Sequence, residues 1–137
     1  MQQILDGGCL CGRVRYSYQG EVGAANYCHC ADCRRVSGSA FGVSVPVDAS
    51  GFHIVEGEPK SFTKQGDSGR PVTRFFCPNC GSPLFTVPPH RPGTYFLKAG
   101  SLDDPSVVRP ARQSWMRSRV AWASIDSELP AYDKGRT

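Results

Sequence analysis

Seven cysteines gathered into three tight groups constrain this chain more than any other feature. Cys9 and Cys11 sit in GGCLCGR, Cys28, Cys30 and Cys33 in YCHCADCRR, and Cys77 and Cys80 in FFCPNCGS. An isolated cysteine is ordinarily a small buried apolar residue, but C-x-C and C-x-x-C spacings are those of metal ligands. The cysteine count is odd, and the opening MQQILDGGCLC has neither the basic stretch nor the apolar run of an export signal. A disulfide framework is therefore not expected, and the chain reads as a cytoplasmic protein with reduced thiols.

The outer two groups resemble each other. Each ends in Cys-Gly, at Gly12 and Gly81, where a glycine lets the backbone turn tightly and aim N–H groups at the sulfurs. Together Cys9, Cys11, Cys77 and Cys80 complete a closed tetrahedral zinc site of structural type. The first pair precedes the alternating segment GRVRYSY and the second follows PVTRFFC, so one ion would pin two strand ends together.

Those segments belong to a mainly β, antiparallel pattern with little helix. Val14, Tyr16 and Tyr18 alternate with Arg13, Arg15 and Ser17, and Phe41, Val43, Val45 and Val47 repeat the same period of two. Further strands are expected at FHIVEG, KSFTKQ, PVTRFFC, SPLFTV and TYFLKAG, separated by Gly, Pro, Asp and Ser turns. Helix is expected only near residues 105–111 and in parts of 115–122. A chain of 137 residues is the size of one domain, able to bury roughly two-thirds of its unfolded surface. The expected domain covers residues 5–132, followed by a polar C-terminal tail at 133–137.

The middle group has no glycine and is followed by Arg34 and Arg35. His29 lies between two ligands of an extended segment, so its side chain should point to the opposite face. His53 and His90 have no motif around them, and Asp32 suits a turn better than a ligand. Cys28, Cys30 and Cys33 thus supply three ligands and leave a fourth position open, as a catalytic or substrate-binding zinc requires. An incoming thiol is the natural guest, because zinc lowers its pKa until it is a nucleophilic thiolate. Arg34 and Arg35 could offset the negative charge of three thiolates or meet a substrate carboxylate.

The formal charge of +4, with 12 arginines among 16 basic residues, suggests nucleic acid only superficially. Seven thiolates and two divalent ions together subtract three charges, and no basic run is interleaved with aromatics. No apolar stretch approaches the roughly 20 residues of a membrane helix. Neither nucleic acid nor membrane is an expected partner; self-association into a homo-oligomer stays open.

Taken in order, GGCLCGRVRY, CHCADCRRVSGSAF, FFCPNCGSPLF and KAGSLDD resemble the CENP-V/GFA domain family, typified by glutathione-dependent formaldehyde-activating enzyme. The resemblance spans about residues 5 to 132. It implies an antiparallel β-tent zinc-binding fold and two Zn2+ per chain. By resemblance Cys9, Cys11, Cys77 and Cys80 hold the structural ion and Cys28, Cys30 and Cys33 the catalytic one. The implied activity is that of a carbon–sulfur lyase, joining the thiol of glutathione to formaldehyde to give S-hydroxymethylglutathione, or the reverse. Family members often carry a P-x-x-H-I pattern before the C-terminal tryptophan, where this chain has Gln113 and Ser114 in PARQSW. Two other readings compete: a two-zinc protein-binding module without activity, and a sensor whose middle cysteines release zinc on oxidation.

Overall fold

The computed structural model describes residues 2–66, 68–124 and 128–134, so residues 135–137 of the expected tail lie outside the described residues. A three-stranded sheet holds β1 (Gln2–Gly8), β2 (Arg15–Glu21) and β5 (Phe52–Glu56) in the order β1-β2-β5. A seven-stranded sheet holds β3 (Ala25–Cys28), β4 (Gly42–Asp48), β6 (Lys60–Gln65), β7 (Pro71–Phe76), β8 (Pro83–Val87), β9 (Thr94–Lys98) and β10 (Pro110–Ser114). Its order is β10-β3-β4-β9-β8-β7-β6. Among the described residues no helix is long and apolar enough to cross a membrane.

The alternation in the sequence decides which faces meet. Val14, Tyr16 and Tyr18 are buried while Arg15 and Ser17 stay partly open, and Val45 and Val47 are buried on β4. The core between the sheets joins Leu5, Tyr16 and Tyr18 from the first to Val45, Leu84, Phe85 and Leu97 from the second. Phe85 is its aromatic centre, stacked on Phe75 at 4.5 Å and lying 4.7 Å from Phe52 and 5.2 Å from Tyr95 between ring centroids. Such pairs add about 0.5–1.5 kcal/mol each beyond the area they bury.

The two core tyrosines also find polar partners. The Tyr16 hydroxyl is 2.5 Å from Ser101 Oγ, and burial pushes its pKa up to about 12. The Tyr18 hydroxyl donates to the Glu21 carbonyl and accepts from the Asp48 amide. Gly7 is required by close approach: a Cβ there would lie 2.5 Å from both the Ser101 carbonyl oxygen and the Tyr16 hydroxyl.

Every strand expected from the sequence is present, and three more, β1, β3 and β10, join them. The expected helical segments appear only as short 3-10 turns. Residues 105–107, 116–118 and 121–123 form single 3-10 turns, and Pro110–Ser114 is a strand. The α-helix lies instead at α1 (Ala31–Ser37), directly after Cys30. Its stop signal is plain: Gly38 takes the left-handed conformation at φ 66° and returns its N–H to Arg34. Its start is hidden, because the capping group is the sulfur of Cys30, and with no buried residue it has no apolar stripe to betray a 3.6 period. The sheets also depart from a purely antiparallel plan, since β10 pairs with β3 in parallel.

Leu84 is fully buried, whereas Ile4 on β1 is 68% exposed. Leu84→Ala should cost about 2–5 kcal/mol. Ile4→Ala should cost about 1 kcal/mol or less, as expected for a surface position. Urea unfolding of the metal-loaded protein, read with an unchanged m-value, checks both.

Candidate metal centres and the cavity beside them

The four outer cysteines come from two hairpin loops. Cys9 and Cys11 follow β1, and the loop closes when the Cys9 amide donates to the Val14 carbonyl. Cys77 and Cys80 follow β7, in a turn held by Cys77 N–H to the Ser82 carbonyl and Gly81 N–H to the Cys77 carbonyl. Gly12 and Gly81 both take positive φ, at 82° and 79°, which is why each pair ends in glycine.

All four sulfurs lie within 4.8 Å of one another, with Cys9 to Cys11 at 3.6 Å and Cys11 to Cys77 at 3.8 Å. Four sulfurs at about 2.3 Å from a tetrahedral zinc would stand about 3.8 Å apart, so the group fits the ion. Donors surround the sulfurs. The Val14 amide reaches Cys9 Sγ at 3.2 Å, the Asn79 amide nitrogen reaches Cys11 Sγ at 3.3 Å, and Ser82 Oγ lies 3.2 Å from Cys80 Sγ. Hydrogen bonds from Ser82 hold the Cys80 thiol down to about 5, which readies it as a ligand. The Leu10 amide donates to Ser82 Oγ, tying one loop directly to the other.

The middle cysteines are set by a strand end and a helix start. Cys28 ends β3, Cys30 caps α1, and Cys33 lies in its first turn. Cys28 and Cys30 sulfurs are 3.4 Å apart, and the Cys33 amide donates to Cys30 Sγ at 3.3 Å. Hydrogen bonds from Cys30 and Cys33 pull the Cys28 thiol down to about 2, while hydrogen bonding with Cys28 and Cys30, together with burial, pushes the Cys33 thiol up. Three sulfurs this close cannot all be anionic without a cation among them, and a divalent ion relieves that repulsion. Gly42 of β4 leaves the room: a Cβ there would stand 3.3 Å from Cys33 Cβ.

His29 faces away from the sulfurs. Its buried ring packs on Phe41 at 5.1 Å, and Nε2 is 2.9 Å from Gln113 Oε1 on β10. Among the described residues, no histidine or carboxylate atom joins either sulfur group. The middle set therefore offers three ligands and the outer set four.

Cys33 opens onto a cavity of about 510 Å³ walled by Phe41 and Val43 on one side and Ser82 and Pro83 on another. Two cationic side chains line it, Arg15 and Lys98. Arg15 is engaged in a two-pronged ion pair with Asp103, one contact being 2.9 Å from Nη1 to Oδ1. Lys98 instead reaches Ser44 Oγ at 3.4 Å. Burial lowers the Lys98 pKa, and attraction to Cys33 works against that shift. Arg34 and Arg35 occupy the last turn of α1 and do not line this cavity. Sequence reasoning did not single out Lys98. It lies 65 positions beyond Cys33, and its only signal is its place at the head of KAGSLDD.

Fold and site together define a mainly β protein that carries one closed and one open cysteine set, each able to hold a metal ion. The chain belongs to the glutathione-dependent formaldehyde-activating enzyme (GFA) family, whose sequence profile matches residues 4–118. A protein of Halomonas elongata with the provisional name glutathione-dependent formaldehyde-activating enzyme is 27% identical over 129 residues, covering 90% of this chain and 82% of that protein. A crystal structure of a Rhodobacter sphaeroides protein shares the fold, with a TM-score of 0.61 and 21% identity over 80% of this chain and 99% of the other.

The two sulfur groups should fail differently. Cys77→Ser removes a contact between loops distant in sequence, and structural zinc can contribute about 10–16 kcal/mol linked to folding, comparable to a whole domain's stability. It should unfold or aggregate the protein. Cys30→Ser should remove any metal held by the middle set alone and leave the far-ultraviolet dichroism near that of the unaltered protein. Metal analysis with thermal melting checks both outcomes, and equal melting of the two variants would refute the division of roles.

Proposed function

We propose that the chain is a zinc-dependent carbon–sulfur lyase that interconverts glutathione plus formaldehyde with S-hydroxymethylglutathione. The observation that supports this reading most is the open set of three sulfurs beside a cavity, with no fourth ligand among the described residues. A zinc ion held by Cys28, Cys30 and Cys33 would act as a Lewis acid, keeping an incoming thiol deprotonated at neutral pH. A second ion held by Cys9, Cys11, Cys77 and Cys80 would be structural.

The residues of the chain then divide the remaining work. Cys33 lies at the cavity wall, so a guest that reaches it is flanked by Phe41 and Val43, which keep water from that side. In the synthetic direction the thiolate sulfur forms a bond to the carbonyl carbon. The carbonyl π pair moves to oxygen, and that oxygen takes one proton from solvent. In reverse, the hydroxyl loses its proton, the carbonyl re-forms and the carbon–sulfur pair returns to sulfur. Holding sulfur beside carbon converts an encounter into a positioned reaction, the main gain for an addition this simple.

A two-zinc binding module would have both ions enclosed by protein. The three-ligand set is the feature that favours the enzyme reading over it.

Glutathione should raise the melting temperature of the metal-loaded protein, while S-methylglutathione, which cannot form a thiolate, should raise it far less. Exchange NMR of glutathione with formaldehyde should show interconversion faster than the uncatalysed background, and Cys30→Ser should remove the excess rate. Equal stabilisation by the two peptides would exclude thiolate coordination.

A further inference from the structure

The strand register gathers two cations on one face of the seven-stranded sheet. Ser44 of β4 stands opposite Lys98, and Phe62, Arg74, Thr86 and Phe96 form a continuous row across β6, β7, β8 and β9. Lys98 is two residues from Phe96 on β9, so its side chain leaves the sheet on the same face as those of Arg74 and Thr86. A second cavity of about 200 Å³ lies there, lined by Val36 of α1, Phe62, Arg74, Phe76, Pro83 and Lys98. Val36, Pro83 and Lys98 also line the larger cavity beside Cys33, so the two spaces adjoin.

The polar groups on this face are only partly satisfied from within the protein: Lys98 Nζ reaches Ser44 Oγ at 3.4 Å. Arg74 Nε and Thr86 Oγ1 are buried without a hydrogen-bond partner. The ion pairs found among the described residues join Arg15 to Asp103 and Lys64 to Asp32, leaving Lys98 and Arg74 without a carboxylate. Two cations that share aromatic walls and each other's company raise the free energy of the empty site, and an anion placed between them lowers it.

We propose that Lys98 and Arg74 form an anion subsite next to the open cysteine set, which takes a carboxylate of the thiol substrate. This rests on the reading of that set as a thiol site, and it deepens that reading. Such a thiol would lie with its sulfur toward Cys33 and its acid group in the smaller cavity. It also moves the point of acid recognition from Arg34 and Arg35, beside the cysteines in sequence, to two residues that only the fold brings there.

The test compares 3-mercaptopropionate with its neutral isostere 3-mercaptopropionamide by calorimetric titration of the metal-loaded protein at low salt. The ratio of their affinities in each variant is set against the ratio in the unaltered protein, so that the differing acidities of the two thiols cancel. A charge-assisted contact contributes about 1.5–3 kcal/mol, so Lys98→Gln and Arg74→Gln should each cut the preference for the acid about tenfold or more. Lys98→Arg should keep most of it. Melting curves establish that each variant is folded, and either neutral variant suffices if the other is not.

Several results would overturn the subsite. Equal weakening of acid and amide in Lys98→Gln and Arg74→Gln would mean that the cations only balance the cysteine thiolates. Loss of the preference in Arg34→Ala or Arg35→Ala, with Lys98→Gln unaffected, would place the carboxylate at the end of α1. In both cases the thiol reading stands. Failure of either thiol to bind the unaltered protein would overturn that reading and the subsite with it.

Discussion

Four sulfurs from two loops far apart in sequence meet where the two sheets come together, within 4.8 Å of one another. Cys9 and Cys11 hang from the β1–β2 connection of one sheet, and Cys77 and Cys80 from the β7–β8 connection of the other. The direct link between these loops is slight, a backbone amide on Ser82 and a side-chain amide on a sulfur. A metal ion among the sulfurs is worth far more than two such bonds, each of which nets about 1 kcal/mol. Beside that junction the two sheets pack across Phe85 and its aromatic neighbours, and Ser82 and Pro83 form part of the wall of the larger cavity. Cys9 of the closed set lines that cavity together with Cys33 of the open one, so the two sets share a wall.

Periodicity reported most of the sheet because its faces are unequal. Val14, Tyr16 and Tyr18 are buried and their neighbours are not, so the period of two survives in the sequence. The cysteine grouping was legible for a similar reason: short-range spacing sets the geometry of each sulfur pair, and the glycines at 12 and 81 mark the turns that the pairs need. What escaped was structure whose signal is not local. β1 alternates in burial, but with Gln3 and Gly7 on its inner side and Ile4 exposed its residues do not follow that period, and β10 has no buried residue. Helix α1 has no apolar face at all and depends on a sulfur cap. The segment near 105–111, expected as helix, makes a single 3-10 turn after Asp104, and Pro110 then begins a strand.

Charge shows the same division. Proximity in sequence nominates Arg34 and Arg35 as the cations of the open site, whereas the strand register puts Lys98 and Arg74 on the face next to it. A helix turns its residues through about 100° each, so neighbours of a ligand on α1 are carried away from it within one turn. Residues paired across strands stay about 5 Å apart on the same face, which lets a sheet assemble a site from positions far apart in the chain. Arg15 would have been a further candidate, but Asp103 engages it on both prongs, which leaves it a structural brace on the cavity rim.

The parallel strand β10 explains how an exposed C-terminal segment supports the open cysteine set. Ser114 stands in register with Cys28, its carbonyl accepts the His29 amide, and its hydroxyl accepts from Asn26. Gln113 holds His29 Nε2 from the same strand, which turns the imidazole toward β10 and Phe41 and away from the sulfurs. A histidine between two metal ligands would otherwise be free to compete with them or to close the fourth position. Here its ring is anchored by an amide, a group that cannot take up or lose a proton near neutral pH and so holds the same partner across that range. Gln113, where the resemblance leads one to expect a histidine, thus makes a contact that orients the cysteine strand and does not line the larger cavity.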